Sequence, residues 1–218
     1  HAPGRVKGGT VRKDPVVHID LAATSLHFAR IDIPKYMEAR TLFGPDAQAR
    51  KFAVSARDRC DETYDRIRAV RTQRFKYIRN GYHERPHLQP CAYKDNKATY
   101  LAIRDWGKKG KLADLQQRLL LSPNRSPEEL YDLKTDPWEI KNLANDPKHS
   151  KTLLKMRKTL DQWIKETGDQ GQKVEPMKMY DSDMKIYMDG QASRGRQERA
   201  DEIQANVDQM KKWWEEGK

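Results

Sequence analysis

The sequence predicts an α/β chain: a four-stranded antiparallel sheet with a long packed helix, followed by a helical tail. Three observations predict it. Three period-two runs follow one another between Lys51 and Asn80, the pattern of an antiparallel meander with one wet face. A fourth short segment, Glu129-Leu130-Tyr131-Asp132-Leu133, reads as a strand set apart from them. Between Pro147 and Thr167, Leu153, Leu154, Met156, Leu160, Trp163 and Ile164 recur close to helical spacing.

In chain order, Pro3-Gly4 and Gly8-Gly9 mark an opening loop. Val16 to Leu21 is a short apolar run that passes into Ala22–Ala29, predicted as a buried helix with Asp20 as its cap. Ile31-Asp32-Ile33-Pro34 ends it, because the residue before proline prefers an extended form. The strands are expected over 51–56, 64–71 (apolar at Ile67 and Ala69) and 75–80, with Asn80-Gly81 as a turn. Ala98–Lys109 and Leu112–Leu121 read as helices, punctuated by Pro86, Pro90, Pro123 and Pro127. Asp136-Pro137 turns the chain out of the fourth strand. Asp146-Pro147 starts the long helix and Gly168 stops it.

The tail differs in composition. Met177, Met179, Tyr180, Met184, Ile186, Tyr187 and Met188 make one amphipathic stretch, interrupted at Gly190 and Gly195. Glu198–Glu216 makes a second helix, with Ile203, Val207, Met210, Trp213 and Trp214 along one side. Packing on its own domain is the plain reading of this pattern. The other reading is a partner-binding face.

Composition narrows the class. The 218 residues make one domain, or one domain with a tail. The chain is 36% hydrophobic and 34% charged, but five Trp, nine Tyr and four Phe suffice to seed a core. No apolar run approaches the roughly 18 residues of a membrane span, and His1-Ala2-Pro3-Gly4 opens no signal peptide. Two cysteines exclude a disulfide framework or a four-Cys zinc site, and leave a Cys60–Cys91 pairing open. The net charge is +11. Its charges alternate in sign, and no zinc-finger spacing, RNP-like aromatic motif or polybasic tail accompanies them, so a nucleic-acid partner is not expected. An anionic substrate fits the excess equally well.

Most catalytic templates are absent. There is no Gly-rich phosphate loop, no HExxH pair and no GxSxG elbow. His83 and His87 are four apart, but Pro86 between them argues against the helix a two-His metal site needs. Arg59 beside Cys60 would lower a thiol pKa, although Cys60 reads more simply as a small strand-end residue. One cluster stands out: Arg57-Asp58-Arg59-Cys60-Asp61-Glu62, directly after the strand at 51–56. Two arginines can grip an anion in bidentate fashion. Asp58 and Asp61 can orient them or accept sugar hydroxyls. Arg57, Asp58, Arg59 and Asp61 are therefore the candidate substrate-binding residues. The alternative is a solvated strand-end loop with internal ion pairs.

At these residues the chain resembles the C-terminal part of a type I (formylglycine-dependent) sulfatase, closest to bacterial heparan N-sulfatase-like members. Three stretches carry the likeness. Ala2 to Thr10 with Val17-His18-Ile19-Asp20-Leu21-Ala22-Ala23-Thr24 resembles the family's "PGxxxxGT…DLxPT" segment. Phe52 through Asn80 resembles the strands that open the family's C-terminal subdomain. Glu129-Leu130-Tyr131-Asp132-Leu133, then Asp136-Pro137-Trp138-Glu139-Ile140-Lys141-Asn142-Leu143-Ala144, is similar to its "ELYDLxxDPxExxNLA" signature. The family commonly has Pro at Ala23 and Gly at Arg30 and Ala39. A side chain at a helix end that needs positive φ costs conformational freedom.

The resemblance implies an alkaline-phosphatase-like fold. Residues 1–45 would be the last segment of the large domain, 46–171 the C-terminal subdomain and 172–218 a helical tail. It implies a hydrolase acting on sulfate esters, or N-sulfate, of a sulfated carbohydrate. It also implies formylglycine, made from cysteine, and calcium as the intact enzyme's cofactors, with export to the periplasm. This chain lacks those parts. Cys60 is followed by Asp-Glu-Thr-Tyr and Cys91 by Ala-Tyr-Lys-Asp, and neither is a formylglycine context. No Asp/Asn constellation is clustered for calcium. The expectation is a chain with no metal or catalytic residue of its own, inactive without the upstream catalytic half, which is then its partner. The alternative is a non-catalytic binding or assembly module that uses the Met/Trp-rich tail.

Overall fold

The computed structural model describes residues 2–218; His1, at the head of the predicted opening loop, lies outside them. Its strands are β1 (Ala53–Cys60), β2 (Thr63–Arg71), β3 (Phe75–Asn80) and β4 (Glu128–Asp132), in one sheet of order β1-β2-β3-β4. The register shows in the flanking bonds. Thr72 N–H donates to Phe75 O and Gly81 N–H to Arg66 O, so β2 and β3 run antiparallel. Leu133 N–H donates to Arg74 O and Asn80 N–H to Pro127 O, which does the same for β3 and β4. The helices are α1 (Ile19–Phe28), α2 (Ala92–Asp95), α3 (Ala98–Lys108), α4 (Asp114–Gln116, continued by a π turn over Gln117–Leu121), α5 (Ser150–Thr167), α6 (Met177–Ala192) and α7 (Gln197–Glu215). The predicted α/β class, the antiparallel sheet, the long helix and the helical tail are all present.

The chain divides into two compact units. One holds the chain up to Ser55 with Ala69–Ile78 and Glu129–Leu160; the other holds Ala56–Arg68, Arg79–Glu128 and Asp161–Lys218.

In the first unit, α1 differs from its prediction. It starts at Ile19, so Asp20 lies in its first turn and is not its cap. Only Asp20, Ala23 and Thr24 of this helix are buried, while Ile19 and Leu21 are exposed. Apolar content marked the segment as core; its buried face is in fact polar. Asp20 accepts from the Val17 and Arg40 amides and from Arg50 Nε and Nη2, at 2.5–3.0 Å. Thr24 Oγ1 accepts from Leu42 N–H. The "DLxPT"-like stretch thus ties the helix to the loop after it.

The end of α1 meets its expectation. Arg30 takes φ 60, Arg30 N–H donates to His27 O and Ile31 N–H to Leu26 O. That is a Schellman cap with a non-glycine at its left-handed position. Ala39 has no positive φ. Arg30→Gly is expected to stabilise the chain by about 1 kcal/mol, read as a rise in the urea midpoint; a fall would mean that the Arg30 side chain contributes more than its backbone costs.

The "ELYDLxxDPxExxNLA"-like signature is a self-bonded strand and turn. Asp132, buried at the end of β4, takes Arg74 on both oxygens at 2.8–3.2 Å. Asp136 accepts from the Ile140 and Lys141 amides. Asn142 Oδ1 accepts from Leu130 and Ala144 N–H, and Leu143 N–H donates to Leu130 O. Lys76 pairs with Glu139, whose φ is 57. These polar positions hold backbone. Asp146 then accepts from Lys148 N–H at the 3-10 turn before α5, which turns Leu153, Met156 and Leu160 inward and stops at Gly168, φ 63.

The second unit is built on the α6–α7 pair. Tyr180, Met184, Ile203, Val207 and Met210 form one buried cluster with Ala92, and Tyr187, Met188, Trp213 and Trp214 pack against it. Most of the Met/Trp pattern is therefore core or packed against it. Met177, Met179 and Ile186 remain exposed. Gly190 lies inside α6 and only Gly195 breaks the pair.

Two further differences concern the sheet. The first strand runs to Cys60, so Arg57, Asp58 and Arg59 are strand residues and not a strand-end loop. Charge hid the continuation, and the turn shortens to Asp61-Glu62. In β2 the buried residues include Tyr64, Asp65 and Arg68, while Ile67 is only half-buried. Both faces are largely covered: Tyr64, Arg68 and Val70 are buried on one and Asp65 on the other, each buried charge with an ionic partner.

Candidate functional site

Alternation along β1 puts Arg59 on one face and Asp58 on the other. Asp58 takes Arg68 Nη1 at 2.7 Å, and Arg68 donates Nε to Asp169 at 2.8 Å. The Asp169 and Asp58 bonds hold Arg68 more firmly protonated than usual, against its burial. Reciprocally, Arg68 keeps the Asp169 carboxyl below the ordinary range. Asp58 is thus committed to a structural pair. The Arg57 carbonyl accepts from Arg68, and the Arg57 Nε is buried without a partner.

Arg59 points elsewhere. Its Nε lies 3.1 Å from Glu175 and its Nη2 2.5 Å from Asp183 of α6, with the guanidinium over the Tyr180 ring. The two carboxylates hold it at the wall of a concavity of about 700 Å3. Asp61, Tyr187 and Arg194 also line this space, and Met184 and Ile186 add apolar wall. Asp61 reaches it from the β1–β2 turn, at φ 52. The exposed Arg194 makes no ion pair among those found in the described residues. Burial, and then the charges of Asp61, Glu62 and Cys91, push the Tyr187 phenol up.

Of the four candidate residues, Arg59 and Asp61 meet at this concavity, and Arg57 and Asp58 do not line it. Asp183, Tyr187 and Arg194 were missed. They lie more than 120 residues from Arg59, Asp183 and Tyr187 in a helix that the sequence marks by its apolar face and Arg194 in the turn after it.

Behind Asp61, Glu62 is wholly buried. Its Oε1 accepts from Ala92 N–H and from Asn206 Nδ2, and its backbone oxygen from the Tyr180 hydroxyl. Its Oε2 has no hydrogen-bond partner. Cys91 is buried, Cys60 exposed, and both are free thiols. Neither calcium nor formylglycine fits here. Asp61, Glu62 and Cys91 are the one metal-capable group among the described residues, and a thiol with two carboxylates is not the six to eight oxygens calcium takes.

No protein-family model matches the chain. An ulvan-active sulfatase of Formosa agariphila is 34% identical over 168 residues, 77% of this chain and 28% of the relative. The chain is a homologue of sulfatases. A Δ4,5-hexuronate-2-O-sulfatase of Bacteroides thetaiotaomicron is 57% identical over 42 residues, 19% of this chain and 9% of that sulfatase. A solved 2-O glycosaminoglycan sulfatase superposes with a TM-score of 0.47 at 25% identity, over 72% of this chain and 26% of its own. This sulfatase homologue spans 28% and 32% of the lengths of the two ulvan-active sulfatases it matches.

Proposed function

We propose that the chain is the C-terminal portion of a sulfatase that hydrolyses sulfate esters of a sulfated carbohydrate, and that it supplies a substrate-side surface, not the reacting groups. The homology to an ulvan-active sulfatase over 77% of the chain carries this reading. The relative named for a hexuronate 2-O-sulfate favours an O-sulfate over the N-sulfate of heparan N-sulfatase-like members. Formylglycine and calcium then belong to an upstream catalytic half, since no residue here fits them.

Arg194 and Arg59 would meet the substrate. An arriving sulfate first finds Arg194, which has no carboxylate to surrender, and then competes with Asp183 for Arg59. Charge-assisted bonds from guanidinium to a sulfate oxygen are directional, so they select orientation as well as charge. The net charge of +11 favours the approach of a polyanion.

The test is titration of the purified chain with a 2-O-sulfated uronate disaccharide and its desulfated counterpart. Binding of the sulfated form is expected, with Arg194→Ala and Arg59→Ala each weakening it about tenfold. Joined to the upstream half, the same variants should lower kcat/KM for that sugar. Equal affinity of both variants and wild type would remove the concavity from the substrate path. Sulfatase activity of this chain alone would overturn the division of labour.

A further inference from the structure

We propose that Asp61, Glu62 and Cys91 form a binding site for a thiophilic divalent cation of the zinc class. One ligand atom from each of these side chains lies within 4.8 Å of the others. Zinc's bond lengths, about 2.0–2.2 Å to oxygen and about 2.3 Å to sulfur, ask these atoms to close in on one point, and Asp61 is the exposed member of the three.

Glu62 provides the independent sign of a missing ligand. It is wholly buried, and a carboxylate oxygen taken out of water there without a donor or cation is costly. Oε1 is fixed by Ala92 N–H and Asn206 Nδ2, while Oε2 has nothing. This is how a ligating carboxylate is presented: one oxygen held by outer donors, the other turned to the ion. Cys91 is held too, since its N–H donates to Asp95 Oδ2 at the start of α2.

The donor types choose the ion. A thiolate among carboxylates suits zinc and its neighbours, and does not suit calcium or magnesium. Three protein ligands leave a fourth position for water or a ligand atom. Asp61 also lines the concavity, so that position is reached from the solvent side. A cation here would weaken the local negative field that Asp61 and Glu62 set against a sulfated sugar, without reversing it, because the thiol gives up its proton on binding the ion. The site goes beyond the carbohydrate reading and does not depend on it.

The experiment is zinc titration of the chelator-treated full chain without carbohydrate, followed by cobalt substitution. One zinc per chain is expected, and a cobalt complex with a thiolate charge-transfer band in the near ultraviolet. Cys91→Ser is expected to weaken zinc about 100-fold or more and remove the band, and Asp61→Asn to weaken zinc at least about tenfold. Cys60→Ser should change neither. Because Cys91 is buried, Asp61→Asn, at an exposed turn, is the decisive variant if Cys91→Ser does not fold. No zinc binding, a cobalt complex without the band, unchanged affinity in Asp61→Asn, or loss on Cys60→Ser would each overturn the proposal.

Discussion

Asp65→Ala is expected to destabilise the chain by about 3–5 kcal/mol, because it strands a buried guanidinium. Asp65 and Arg125 are 1% and 4% exposed at their side chains, and both Asp65 oxygens take Arg125, at 2.8 and 3.0 Å. Gln89 Nε2 donates to the same carboxylate at 2.8 Å, and Arg125 also holds the Tyr82 carbonyl. Removing the carboxylate leaves Arg125 charged, dry and unpaired, with Gln89 missing an acceptor. The pair as a whole contributes far less than that loss, since both ions were taken out of water to make it. Asp65→Leu with Arg125→Met should therefore be less destabilising than the sum of the two single changes, by more than about 1 kcal/mol. Urea unfolding of the four proteins measures this. A single variant within about 1 kcal/mol of wild type, or strict additivity, would mean that the pair is solvated.

Asp20→Ala is the second large effect, and it carries a pH signature. Burial works to raise the Asp20 carboxyl, but Arg50 and the Val17 and Arg40 amides override it and lower it to about 2. Its unfolded value is 3.8. A depressed folded value means that the stabilisation is complete above the unfolded value and is lost as pH falls towards the folded one. The shift corresponds to about 2 kcal/mol at neutral pH, and about 1 kcal/mol of that is gone near pH ~3. At neutral pH, Asp20→Ala should cost about 3–5 kcal/mol, because it also strands Arg50 and two amides. The urea-midpoint gap between wild type and variant should narrow below about pH 4. A gap that stays constant down to pH ~3 would mean that Asp20 titrates normally.

Both predictions rest on charges buried where the sequence marks solvent. The strands were legible because period-two alternation needs no partner to be seen, and β3 runs from Phe75 to Asn80 as expected. The long helix, its Asp146-Pro147 start and its Gly168 stop were legible for the same local reason. The sequence misleads at three places where a charge lies inside. The sequence ends the first strand before Arg57, offers Asp20 as a cap and marks the apolar side of β2 at Ile67 and Ala69, where the structure continues the strand, buries Asp20 in the first turn of α1 and buries Asp65 and Arg68.

At the site, Arg59 and Asp61 were visible as a charged cluster next to a strand. Arg194 and Tyr187 had no signal that tied them to it, and Glu62 had none that tied it to Cys91. Alternation, capping residues and the three sulfatase-like stretches are short-range properties, so the sequence alone determined the strands, the helices and the family likeness. Which charges are buried, and which meet at the concavity, depends on pairings between residues 10 to 144 positions apart. Only the tertiary structure decided those, because a buried ion is stable only beside the partner that folding delivers.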